Sequence, residues 1–169
     1  MIDGMTDTKS DTMIAHNLRS FDVGQMSKAF IANDNYRRFP ARVRWYHEVL
    51  SFSPLDKDHM TNAMLDDIAR QYITLRNPHA LCFAVAHTDT EHTHLHFCFS
   101  GTEFRSKTTL RMDDPTFEAL RYDIERYQMD KYPQLKNSIV YWNKERKRNS
   151  SKVQDKNART EKELSLIHI

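Results

Sequence analysis

Along the middle of the chain the spacing of apolar positions changes several times, and each change marks an element. RVRWYHEVLSF (42–52) is dense in aromatic and β-branched residues and ends at Ser53-Pro54, which predicts a strand followed by a turn. From Asp58 to Arg76, residues Met60, Met64, Leu65, Ile68, Ala69, Tyr72, Ile73 and Leu75 recur at three and four until Asn77-Pro78 stops them, the pattern of an amphipathic helix. The period then shortens. LCFAVAH (81–87) and THLHFCFSG (93–101) are short apolar runs flanking TDTEH, which predicts two antiparallel strands with a tight connection. The polar stretch TEFRSKTTLRM (102–112) offers a further strand. Asp113-Asp114-Pro115 then opens a helix with Phe117, Leu120, Ile124 and Tyr127 on one face, ended by Tyr132-Pro133. Nearer the N-terminus, residues 20–38 space Phe21, Met26, Phe30 and Ile31 as on a helix face, and residues 1–13 read as a flexible leader.

This order of elements argues for an α+β domain: an antiparallel sheet with helices on one face. In 93–101 the two-residue period separates Leu95, Phe97 and Phe99 from His94, His96, Cys98 and Ser100, so one face is core and the other carries histidine. At 169 residues the chain is one domain with tails, and 39% hydrophobic content suits a folded core. A mean hydropathy of -0.74 indicates a polar exterior. No apolar run approaches the roughly 18 residues of a membrane span, and the first residues lack a secretory signal pattern, so the expected compartment is the cytoplasm, without membrane insertion. The two cysteines, Cys82 and Cys98, lie in apolar strands and read as small core residues, not as a disulfide framework. A net charge of +2 says little about nucleic acid, but its distribution says more. Residues 142–163 carry eight Lys or Arg against four acids, which makes this C-terminal segment either the contact for backbone phosphates or, with equal weight, a solvated helix or disordered tail.

HTDTEHTHLHF (87–97) concentrates four histidines, an aspartate and a glutamate in eleven positions. Imidazole suits divalent first-row metals, and His94 and His96, two apart on a strand, project from one face about 6.6 Å apart. His92 lies roughly 13 Å of extended chain from His96, too far to converge on one ion with bonds near 2 Å. His87, across the connection, is better placed, so the expected triad is His87, His94 and His96. Strand parity would put His87 on the face of Val85 and Phe83; either it lies past the regular strand or that edge of the active face is covered. Three nitrogen ligands leave positions open for water or substrate. Asp89 and His92 stand behind the ligands, Asp89 placed to orient an imidazole.

HTDTEHTHLHF after LCFAVA, with WYHEVLSFSP one helix earlier and HNL near the start, resembles the mobilisation relaxases of the HUH endonuclease superfamily, which nick plasmids and integrative elements at the origin of transfer. YDIERYQMDKYPQLKNSIVY looks like the relaxases of Bacteroidetes mobile elements. The resemblance implies a relaxase domain over 14–142 and a basic extension over 143–169. It implies an antiparallel sheet of about five strands with the histidine triad on its face, opposite the helices, holding one divalent ion against the scissile phosphate. Mg²⁺ or Mn²⁺ is the expected working ion, while by affinity three histidines would take Zn²⁺ or Ni²⁺ first. A tyrosine hydroxyl then attacks, leaving a 5′-phosphotyrosine link and a free 3′-hydroxyl. The implied partners are single-stranded or hairpin origin DNA, accessory mobilisation proteins and a coupling protein, in the bacterial cytoplasm. Carried over by position, His47 points towards the site and Ser51 touches a phosphate, each with an equal structural alternative; the charge of the C-terminal segment makes Arg146, Lys147 and Arg148 the expected DNA contacts there.

The family's nucleophilic tyrosine lies upstream of the HNL segment, and here no tyrosine precedes Tyr36. Either the chain starts inside a longer product or another residue serves, and the apolar ending LSLIHI suggests continuation beyond it. Tyr141, within YWNK, has the tyrosine and lysine spacing of the superfamily's replication initiators; Tyr36, Tyr46 and His47 are the other candidates. Two alternatives stand beside a nicking relaxase: an accessory module of the same fold that binds origin DNA without cutting it, and a small-molecule metal hydrolase. The second would need a longer chain and further His and Asp ligands.

Overall fold

The computed structural model describes residues 12–39, 43–88 and 91–142. Its elements run β1 (Met13–His16), α1 (Val23–Asp34), β2 (Trp45–Ser51), a 3₁₀ helix (Pro54–His59), α2 (Asn62–Arg76), β3 (Ala80–His87), β4 (His94–Glu103) and α3 (Asp114–Lys131). The strands form one antiparallel sheet in the order β1-β3-β4-β2. Side-chain caps start each α-helix: Asp22 accepts from Gln25 N, Thr61 from Met64 N and Asp113 from Thr116 N, each satisfying a first-turn donor that has no partner within the helix.

The alternation of β3 and β4 builds two cores. Ala80, Cys82, Ala84 and Ala86, with Leu95, Phe97 and Phe99, face α2 and α3, meeting Leu65, Ile68, Ala69, Ile73, Leu120 and Ile124. Small side chains on β3 let α2 lie close, and the phenylalanines of β4 fill the space beside it. On the other face Leu81, Phe83, Val85 and Cys98 meet Met26 and Phe30 of α1. Helices therefore cover both faces, contrary to the one-sided arrangement read from the sequence, because α1 turns Met26 and Phe30 onto apolar residues of the histidine face.

Among the described residues the sheet has four strands, not about five. The stretch 102–112 contributes the end of β4 and a single bridge, Thr102 to Thr109, because the chain reverses through Arg105 at φ 53°. β1 was not anticipated; Met13, assigned to the leader, opens it, and Ile14 is buried in the helix-side core. Both cysteines are buried and free. Among the described residues no helix is long and apolar enough to cross a membrane.

Candidate metal centre and the cleft beside it

The β3–β4 register sets the histidines together. His87 stands opposite His94, and Val85 opposite His96, so all three imidazoles share one face at the loop end of the hairpin. Their ring centroids are 5.3 Å apart for His87–His94, 4.6 Å for His87–His96 and 4.9 Å for His94–His96. Each offers one nitrogen, and these nitrogens lie within 4.8 Å of one another. Two ligands about 2.1 Å from one ion stand at most about 4.2 Å apart, so the set fits a single cation after a small ring rotation. The parity question resolves at the same place: His87 is the last residue of regular strand, and the apolar neighbours sharing its face, Val85 and Phe83, lie in the α1-side core.

Hydrogen bonds behind the ring cluster select which nitrogens point inward. His94 Nδ1 is 2.6 Å from the His92 carbonyl oxygen; a carbonyl only accepts, so Nδ1 carries the proton and Nε2 keeps its lone pair. His47 Nε2 lies 2.9 Å from His96 Nδ1, with the two rings stacked at 5.1 Å and 10°. Donation from His96 Nδ1–H to His47 leaves His96 Nε2 for an ion. Desolvation, with His87, His94 and His47 alongside, lowers the pKa of His96 to about 4. At neutral pH it is the uncharged imidazole, the form that ligates metal.

Other residues singled out in the sequence divide by position. Ser51 pairs across from His94 and is exposed on the same face. His92 is exposed and gives the cluster its carbonyl. Tyr46 faces the helix-side core. Tyr36 follows α1 near Phe104 and Arg105, at the opposite end of β4 from the histidines. Cys98, opposite His47, keeps its proton because burial raises its thiol pKa to about 11. Asp89, Arg146, Lys147 and Arg148 lie outside the described residues.

A cavity of about 470 Å³ runs from His47, Val49 and Ser51 around the β2 edge to Phe117, Arg121 and Tyr141. The Arg121 guanidinium sits 4.6 Å from the Phe117 ring centre and 5.1 Å from that of Tyr141. The buried Glu125 carboxylate accepts the backbone N–H groups of Val140 at 2.8 Å, Tyr141 at 3.0 Å and Trp142 at 2.9 Å. Sequence reasoning passed over Glu125. The available signal was an acid beside Ile124 and three residues before Gln128, on a helix whose apolar face was already recognised.

A family model described as relaxase, MobA/VirD2-like, nuclease domain matches residues 3–129. No curated protein and no solved structure matches the chain.

Proposed function

The chain belongs to the MobA/VirD2-like relaxase nuclease-domain family, and from that premise we propose that it binds origin-of-transfer DNA, single-stranded or hairpin, and nicks one strand by transesterification to mobilise a plasmid or integrative element. The reading extends to the HUH superfamily and its Bacteroidetes members, with residues 14–142 as the nicking unit. Residues 143–169 form a basic extension that touches DNA through Arg146, Lys147 and Arg148. Accessory mobilisation proteins and a coupling protein are the expected partners.

The observation that carries the proposal is the histidine cluster with its oriented outer nitrogens. His87, His94 and His96 would hold one divalent ion, Mg²⁺ or Mn²⁺ in the working protein. The chemistry supplied there would be Lewis-acid withdrawal of charge from a nonbridging phosphate oxygen, which would favour the pentavalent transition state. His47 and the His92 carbonyl hold the His96 and His94 rings in their ligating orientation. Ser51, beside His94, donates its hydroxyl to a phosphate oxygen. Tyr141 is assigned as nucleophile: its phenolic oxygen gives up its proton to solvent and bonds to phosphorus, the bond from phosphorus to the 3′-oxygen breaks, and the leaving 3′-oxygen takes a proton from solvent. The support is that Tyr141 lines the same cleft as His47 and Ser51, while Tyr36 lies at the far end of the sheet and His47 is engaged with His96.

The test is incubation with Mn²⁺ and a labelled single-stranded origin oligonucleotide from the element that encodes the chain. A fragment ending in a 3′-hydroxyl and a covalent adduct at Tyr141, both lost in Tyr141→Phe, are expected. Neither binding nor cleavage of any such oligonucleotide would overturn the proposal. The second reading is an accessory module of the same fold that binds origin DNA without cutting it. That reading expects His94→Ala with His96→Ala to leave DNA affinity and mobilisation nearly unchanged.

A further inference from the structure

At the other end of β4 the surface changes character. A groove of about 480 Å³ is lined by Arg37, Arg38 and Phe39 on one side and by Lys107, Thr108, Thr109 and Arg111 on the other, with Gly101 and Thr102 between them. Its floor requires glycine. Gly101 N donates to the Arg44 carbonyl at 2.6 Å, and a Cβ at Gly101 would stand 2.8 Å from that oxygen and closer still to the Val43 carbonyl oxygen. The chain can therefore lie flat across β4 and leave the side chains beside it standing up as walls.

The walls are cationic and aromatic. Arg38, Lys107 and Arg111 are exposed, and among the described residues none of them is in an ion pair; the nearby acid, Asp34, is held by Arg37 at 2.9 Å and Arg44 at 3.5 Å. Phe39 is 52% exposed with the Arg38 guanidinium 5.2 Å from its ring centre. Just beyond the groove, Phe104 is 37% exposed and lies 5.0 Å beneath Arg105. Exposed rings carrying guanidinium groups among cations outside any ion pair of the described residues are what a single nucleic-acid strand uses: bases stack on the ring while phosphates meet the cations.

We propose that this groove is a second contact for the nicked DNA strand, holding about three phosphates and one base on Phe39. The identity of the strand rests on the relaxase reading above. Six residues of β4 separate His96 from Thr102, about 20 Å at roughly 3.3 Å per residue, which is about six nucleotides stacked at roughly 3.4 Å. α1 covers the middle of the histidine face, so the strand passes along β2, over Val49, His47 and Trp45 to Arg44. Two separated grips fix the direction in which the strand leaves the histidine cluster, which a single grip at the phosphate would not.

The experiment measures binding of fluorescein-labelled dT20 to the full chain by anisotropy across a salt series, for the wild type, for the triple variant Arg38→Ala/Lys107→Ala/Arg111→Ala, and for Phe39→Ala. The triple variant should bind at least about tenfold more weakly, with a slope of log Kd against log salt shallower by about 2, from roughly 0.7 per lost phosphate contact. Phe39→Ala should bind about fivefold more weakly with the slope unchanged. Ni²⁺ affinity, read by calorimetry, should match the wild type in both variants, showing that the histidine end is undisturbed. The proposal falls if the three proteins share one affinity and one slope, or if the wild type does not bind dT20. It also falls if dT20 binding is unchanged while capture of a hexaglutamate peptide is lost, which would make the groove a protein-docking surface. Absence of nicking alongside weakened dT20 binding by the variants overturns the transesterase reading alone and supports the groove.

Discussion

Replacing Glu48 with alanine should destabilise the protein by about 3 kcal/mol while leaving its histidine face in place. Glu48 points from β2 into the helix-side core, back to back with His47. Its carboxylate accepts from Arg76 Nε at 2.9 Å and from the Tyr72 hydroxyl at 2.8 Å. The Arg76 side chain is 3% exposed and that of Glu48 is 11% exposed. Removing one partner of a buried pair costs about 3–5 kcal/mol because the other charge stays desolvated. Arg76 keeps the Leu110 carbonyl at 2.9 Å and the rings of Tyr46 and Phe99, which sets the lower end of that range. Against a total stability of roughly 5–15 kcal/mol, and with a urea m-value of about 2 kcal/mol/M, the midpoint should fall by about 1.5 M at constant m. Urea unfolding followed by circular dichroism reads this directly. The double variant Glu48→Ala/Arg76→Met should recover part of the loss, since the orphaned cation is gone. A midpoint within about 0.3 M of wild type for Glu48→Ala, or a double variant less stable than the single one, would refute the orphaned-charge argument.

Removal of the partner behind a metal-ligating histidine typically costs about 10- to 100-fold in affinity, so His47→Ala should weaken Ni²⁺ binding by that factor in titration calorimetry, and an unchanged Kd would remove His47 from the site. Stability in the absence of metal should fall on acidification. His96 titrates near 4 in the folded protein and near 6.5 when unfolded, so between those values the unfolded chain binds more protons and gains at the expense of the fold. Thermal melts from pH 7 down to 4 should show this slope reduced in His96→Ala, and an identical slope would contradict the assignment.

The elements legible in the sequence are those whose period is enforced by a core. α2 and α3 bury one face against the sheet, and β3 and β4 are buried over most of their length between two cores, so the helical spacing of the first pair and the near-continuous apolar runs of the second both stand out. β1 has four residues and pairs on one side only, too short for alternation to stand out. α1 contributes few buried side chains, and its choice of face depends on Phe83 and Val85 needing cover, a tertiary fact. The threonine-rich stretch after β4 has strand composition, yet Arg105 in the left-handed region turns it back after one bridge. Within the site, the face and grouping of His87, His94 and His96 follow from parity and pairing. The role of the His92 carbonyl does not, because it depends on backbone direction in a connection, and neither does the Glu125 clamp, whose three donors lie fifteen to seventeen residues away in sequence. The Arg38–Phe39 and Lys107–Arg111 groove was hidden because its two sides are distant in the chain and are joined only through Gly101.

The pairing of His87 with His94 across two strands, beside the pairing of His94 with His96 along one, gives the motif one elastic spacing and one rigid one. Residues added to the connection between β3 and β4 lengthen the loop and leave the cross-strand partners facing each other. A single residue inserted between His94 and His96 turns one imidazole into the phenylalanine core and one apolar side chain out. Drift in such a chain is therefore free to vary the interval before the second histidine, while the interval between the second and third is held at two by the pleat.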